Sequence, residues 1–235
     1  MTMSSTLNGV PHYKGILFDL DGTLLDTAND LGEALNAVLT NHGLPKVPRE
    51  RYRPVASDGA KGLIELGFGA GLKNFDYEQL RVEFLDYYEN HIAEHTCLYP
   101  GVAALIEKLD QHQIPWGIVT NKPIGLTHVL LPHFPELESA ASVLGGDSLA
   151  QRKPHPAPLL QAANEVRVAP NECIYVGDAP RDIEAGNAAN MCTIIAGWGY
   201  IASDTDLTTW QADIHCAHPS EINKMEFLFT KSSNR

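Results

Sequence analysis

Five short apolar runs recur along this chain, at 15–20, 115–120, 141–146, 173–177 and 191–196, and each closes on or hands over to Gly, Asp or Thr. They are apolar almost throughout rather than alternating, the pattern of strands buried on both faces of a parallel sheet. A weaker run lies at 212–217. Between the runs the spacing changes: Val102, Leu105, Ile106 and Leu109 fall at i, i+3, i+4 and i+7, and 159–166 and 183–189 each predict a further short helix. Strand and helix in alternation predict an α/β fold, a parallel sheet with right-handed crossovers.

One interval breaks the rhythm. Residues 28–96 contain no convincing strand but carry apolar stripes at Leu31, Ala34, Leu35 and Val38, then at Leu80, Phe84, Tyr87 and His91. The spacing predicts a helical insertion lodged after the first strand, so that 1–27 and 97–235 make one α/β core domain and 28–96 a second, all-helical one. Within it, Asn41-His42-Gly43-Leu44-Pro45 is a helix stop and Ala56-Ser57-Asp58-Gly59-Ala60 a turn. The last residues, 230–235, are expected to fray.

Charge narrows the partners. Seventeen Lys and Arg against 29 Asp and Glu leave a net charge of −12, which disfavours nucleic acid and leaves room for a small anion only where local cations reverse the potential. Cys97, Cys173, Cys192 and Cys216 are far apart with no Cys-x-x-Cys pair, so they predict reduced, buried thiols rather than a zinc or redox site. Residues 1–11 lack the apolar core of a signal peptide, and no stretch approaches the ~20 apolar residues of a membrane span. A cytoplasmic protein with no membrane partner is the expectation; the oligomeric state is not legible.

The chemistry concentrates where the runs end. In Phe18-Asp19-Leu20-Asp21-Gly22-Thr23, two carboxylates two residues apart close the first strand, the edge at which open α/β sheets bind ligands. Acids that close repel unless a cation or a shared proton compensates. A tight turn explains Asp21-Gly22 but leaves Asp19, at the end of a buried strand, without partners. Val119-Thr120-Asn121-Lys122-Pro123 offers a hydroxyl and backbone N–H groups, or else a helix cap. Lys153 sits in Arg152-Lys153-Pro154-His155-Pro156, where prolines stiffen the approach to a helix and His155 reads as a surface residue. Asp178 ends another strand and Asp182 follows one turn later; each alone suits a helix start. Together, Asp19, Asp21 and Asp178 make an all-oxygen set suited to Mg²⁺ beside a lysine, and a carboxylate so neutralised can attack phosphorus.

Asp19-Leu20-Asp21-Gly22-Thr23, Thr120-Asn121, Lys153-Pro154 and Gly177-Asp178 through Asp182 resemble the four ordered motifs of the haloacid dehalogenase (HAD) superfamily of phosphohydrolases. The resemblance covers about 14–217 and implies a Rossmann-like, HAD-like core with an inserted helical cap. It implies Asp19 as nucleophile and Asp21 as general acid/base, with Thr120, Asn121 and Lys153 binding the phosphoryl group. Asp178 would ligate Mg²⁺ with the Asp19 carboxylate and the Asp21 carbonyl, while Asp182 supports the metal or Lys153 from behind. The cap turn, Ser57, Asp58, Gly59 and Lys61, would face substrate, Lys61 adding a cation or else standing solvated. Within the superfamily the chain resembles the phosphoglycolate phosphatase branch. Thr120-Asn121-Lys122-Pro123, Gly197-Trp198-Gly199-Tyr200-Ile201 and Trp210-Gln211-Ala212-Asp213 also resemble N-acetylmuramic acid 6-phosphate phosphatases. Ala179 is a departure from that pattern, standing where relatives carry another acidic or polar residue. The expectation is an Mg²⁺-dependent phosphatase of a small phosphorylated metabolite acting through an aspartyl-phosphate, with a phosphomutase or a non-catalytic metal- and phosphate-binding module as the alternatives.

Overall fold

Each of the six apolar runs forms a strand of one sheet in the computed structural model, which describes residues 6–7, 10–11 and 13–229. We number as β1 Gly15–Phe18, β4 Trp116–Val119, β5 Ser142–Leu144, β6 Cys173–Gly177, β7 Cys192–Ala196 and β8 Ile214–Cys216; the short β2 Leu25–Asp26 and β3 Cys97–Leu98 lie outside the sheet. The order across the sheet is β8-β7-β6-β1-β4-β5, and every pairing is parallel. The weak run at 212–217 is thus an edge strand, where less of each residue is buried.

Alternation along the strands divides the core. Ile16 and Phe18 of β1 face one side with Ile118, Ile174, Val176 and Ile194; Leu17 faces the other with Val119 and Tyr175. Helices α4 (Val102–Gln111) and α5 (Ile124–Leu130) cover the first face, α6 (Ala157–Glu165) and α7 (Pro180–Ala188) the second. The stripe Val102, Leu105, Ile106, Leu109 is buried as its spacing predicts.

Residues 28–96 hold no strand. The chain leaves the sheet through β2 and returns through β3, and the two strands pair antiparallel, Leu25 opposite Leu98 and Asp26 opposite Cys97. Between them lie α1 (Ala28–Asn41), α2 (Gly59–Phe68) and α3 (Tyr77–Asn90), packed through Leu31, Leu35, Leu63, Phe68, Leu80 and Phe84. The helix stop falls where expected, with α1 ending at Asn41 and Gly43 at φ 69°.

Four readings need correction. The buried stripe of α3 is Leu80, Phe84 and Tyr88; Tyr87 and His91 are half-buried and stack on each other 4.0 Å apart. The segment read as a turn at 56–60 is the end of a 3₁₀ helix, Arg53–Asp58, running directly into α2. Cys97 is exposed, while the other three thiols are buried and all four are free. Thr120 does not cap α5, which begins after Pro123, and Asp178 does not cap α7, whose cap is Ala179. The expected fraying of 230–235 concerns residues outside those described.

Candidate active site

Parallel pairing brings the chemistry together. Phe18 lies opposite both Val176 and Ile118, so the residues just beyond these strand ends, Asp19, Asp178 and Thr120, share one edge of the sheet. Asp19 is 3% exposed, and its backbone N–H continues the ladder to Val176 O at 2.9 Å. Its Oδ1 accepts from Leu20 N at 2.8 Å and lies 2.9 Å from Lys153 Nζ. The Lys153 ammonium is enclosed: it donates to Val119 O and Tyr175 Oη, both at 2.8 Å, and meets Asp182 Oδ1 at 2.7 Å. With a side chain of zero exposure, Lys153 acts on Asp19 and Asp182 directly. Asp182 is locked in turn, its Oδ2 accepting from Ala179 N at 3.0 Å; the backbone of Ala179, not its side chain, makes that contact.

Asp178 is the residue whose needs are unmet. Its Oδ2 accepts from Tyr200 N and from Ser57 Oγ, each at 2.9 Å, but its buried Oδ1 has no partner. Ligand oxygens of Asp19, Asp178 and Asp182 lie within 4.8 Å of one another, all buried. Burial, then the Asp19 and Asp182 charges, push the Asp178 carboxyl up to about 7. Burial also raises Asp19, with Lys153 opposing. Three packed carboxylates with an orphaned oxygen fit a hard divalent cation, which takes oxygen ligands and relieves both penalties. The cradle requires glycine at 22: φ is 85°, and a Cβ there would lie 2.1 Å from Asp178 Oδ2.

Asp21 stands apart from this cluster, on the cavity side. Its Oδ1 accepts from Thr27 Oγ1 at 2.7 Å and from Lys122 Nζ at 3.2 Å. Lys122 also donates to Tyr88 Oη of α3 at 2.8 Å. Burial works against the Lys122 charge, but Asp21 and Tyr88 outweigh it and hold its pKa above the ordinary lysine value. Sequence reasoning gave Lys122 no role, although it lies in the quoted Thr120-Asn121-Lys122-Pro123 segment; the missing signal was Tyr88.

A cavity of about 660 Å³ opens over Asp19 and Asp21 and is lined by both the sheet edge and the helical segment. Thr120 and Asn121 line it; Thr120 Oγ1 accepts from Lys122 N at 3.2 Å, and Asn121 Nδ2 donates to Lys153 O at 2.9 Å, leaving a buried Oδ1 unpartnered. Of the helical-segment residues, Ser57 reaches Asp178, and Asp58 is held by Arg181 Nη1 at 3.2 Å. Arg181 also donates to Ser57 O; burial opposes its charge, and Asp182, Asp19 and Asp178 sustain it. Gly59 turns the chain into α2 at φ 59°. Lys61 lies on the rim, its side chain 73% exposed and 4.0 Å from Glu65. Arg181, the other group missed from sequence, sat unremarked between Asp178 and Asp182.

A Rossmann-like parallel sheet with lysine-backed carboxylates at its carboxyl edge, under a helical segment, defines an α/β enzyme core with its ligand site at the strand ends. The profile of the haloacid dehalogenase-like hydrolases matches residues 16–196. A phosphoglycolate phosphatase of Xanthomonas campestris is 43% identical over 209 residues, covering 89% of this chain and 94% of that one. An N-acetylmuramic acid 6-phosphate phosphatase of Pseudomonas aeruginosa is 36% identical, covering 89% and 92%. Among solved structures, a predicted phosphoglycolate phosphatase of Haemophilus somnus 129pt superposes with a TM-score of 0.82 at 27% identity, covering 91% and 98%. The chain belongs to the haloacid dehalogenase-like hydrolases and is a phosphatase of that family. No described helix is long and apolar enough to cross a membrane.

Proposed function

We propose that this chain is an Mg²⁺-dependent phosphatase that hydrolyses a small phosphomonoester of the phosphoglycolate kind through an aspartyl-phosphate on Asp19. The observation that carries the reading is the pairing of Lys153 Nζ with Asp19 Oδ1 at 2.9 Å beside the partnerless Oδ1 of Asp178. Lys153 and Leu20 N both bind Oδ1, fixing the carboxylate and leaving Oδ2 to attack. Attack forms the Oδ2–phosphorus bond and breaks the bond from phosphorus to the leaving oxygen, which takes its proton from Asp21. Asp21 then removes a proton from the water that attacks phosphorus, releasing phosphate and restoring Asp19. Thr120 and Asn121, lining the cavity beside them, hold phosphoryl oxygens. Asp178, the Asp19 carboxylate and the Asp21 carbonyl would hold the cation, which when bound offsets the charge of phosphate and carboxylates alike. Asp182 keeps Lys153 in place from behind.

In this reading 1–27 and 97–235 are the catalytic core and 28–96 a cap joined to it through β2 and β3, excluding water over the reacting atoms. Ser57, Asp58, Gly59 and Lys61 are among its contributions to the cavity. The 43% identity to a phosphoglycolate phosphatase supports the small acid as substrate. A second reading, an N-acetylmuramic acid 6-phosphate phosphatase, draws on the cavity: about 660 Å³ leaves a two-carbon acid with much unfilled space, while its wall of Tyr77, Phe84 and Leu126 offers apolar surface to a larger amino-sugar phosphate. Initial rates of phosphate release with both esters decide between them. Free phosphate as product, rather than an isomerised ester, excludes the mutase. Asp19→Asn should lower kcat by roughly four orders of magnitude or more; a variant with wild-type turnover would refute the mechanism.

A further inference from the structure

A hydroxyl from the helical segment reaches into the carboxylate cluster. Ser57 is the penultimate residue of the 3₁₀ helix ahead of α2, yet its Oγ donates to Asp178 Oδ2 at 2.9 Å, a contact from the helical segment to the sheet edge. This is the same oxygen that Tyr200 N holds from the core, also at 2.9 Å. Between them the two donors fix the carboxylate so that Oδ1, buried and partnerless, is the oxygen presented to the cluster.

Ser57 is itself held. Arg181, from the first turn of α7, donates to the Ser57 carbonyl and to the Asp58 side chain, Oδ1, at 3.2 Å, holding the chain just after the serine side chain. Arg181 has a side chain only 20% exposed and lies next in sequence to Asp182, so the same short stretch of α7 anchors both Lys153 and the helical segment. Ser57 lines the cavity, and within the chain its hydroxyl is engaged by a carboxylate and its carbonyl by a guanidinium.

We propose that Ser57 is a positioning residue for the cation ligand Asp178, delivered by docking of the helical segment and held by Arg181, so that divalent-cation binding and docking favour one another. The inference rests on the reading of Asp19 and Asp178 as cation ligands. Partners that orient a ligating carboxylate commonly contribute about 10- to 100-fold to metal affinity. Linkage makes the effect reciprocal: whatever docking gains for the cation, the cation returns to docking.

Titration calorimetry of the full chain with Mg²⁺ alone, in the absence of substrate, tests this. Ser57→Ala should weaken Mg²⁺ binding about 10-fold, Ser57→Thr should recover most of the loss, and Arg181→Lys, which keeps the charge but loses the forked grip on Ser57 and Asp58, should weaken binding with Ser57 still in the sequence. Amide hydrogen exchange over 53–68 should slow when Mg²⁺ is added to the wild type and change little in Ser57→Ala. A merely structural role for Ser57 would leave Mg²⁺ affinity where it was. Wild type and Ser57→Ala binding Mg²⁺ within twofold of each other would overturn the positioning role. A wild type that binds no Mg²⁺ would instead overturn the cation reading beneath it.

Discussion

Lys153 shows how much one side chain can hold. Its ammonium is shared by Asp19 and Asp182 in a site with zero exposure, and removing one member of such a buried group strands the others' charge. Lys153→Ala should therefore abolish turnover and also destabilise the fold by about 3–5 kcal/mol, read from the urea midpoint; an unchanged midpoint would mean that Asp19 and Asp182 are not charged against it. The motif residues were legible because their positions follow from local rules: Asp19, Thr120 and Asp178 each sit just past an apolar run, and a parallel sheet aligns such ends. What stayed hidden depends on long-range partners. Lys122 gains its role from Tyr88, on a helix whose stripe was read through Tyr87, one residue off. Ser57 and Asp178 are 121 positions apart, and no periodicity connects them.

At the level of elements, the turn that leaves β1 matters as much as the strand. Gly22 N donates to Leu25 O at 2.9 Å, closing a loop that passes under Asp178, and Gly199 approaches the same carboxylate from the other side, with a hypothetical Cβ 2.3 Å from Asp178 Cβ. Gly22→Ala would add a left-handed penalty of roughly 1–2 kcal/mol and drive Asp178 from its place. Weakened Mg²⁺ binding with a largely retained fold is the expected result by calorimetry and circular dichroism; wild-type affinity would show that the loop has slack. The stem of the helical segment has its own brace: Arg53 Nη1 contacts both Asp26 oxygens at 2.7 Å, and its Nη2 donates to Tyr99 Oη at 3.2 Å. The sequence predicted the insertion from an absence of strands, but β2 and β3 are two residues each, too short to carry a periodic signal.

For the whole molecule, the clustered acids make stability depend on pH and on cation together. The Asp178 pKa is raised from 3.8 to about 7 by burial and by its acidic neighbours, so the folded chain binds this proton more tightly than the unfolded one. The contribution is fully present below about pH 4 and is lost as pH rises toward 7, by up to a few kcal/mol. In chelator, wild type should lose thermal stability relative to Asp178→Asn across that window, and Mg²⁺ at pH 8 should close the gap, since the cation replaces the proton. Parallel melting curves for the two proteins would count against the raised pKa. The surface, at −12 overall, supplies no attraction for an anionic substrate, so the potential must turn locally at the sheet edge.

The central claim is that Asp19 carries the phosphoryl group between substrate and water. Acid-quenched single turnovers with a ³²P-labelled phosphomonoester, followed by peptide mapping, test it most directly. The account predicts transient label on the peptide containing Asp19, labile to hydroxylamine as an acyl phosphate is, rising and decaying as free phosphate appears. Phosphate released by the wild type with no protein-bound label at any quench time, or label on a peptide lacking Asp19, would contradict it.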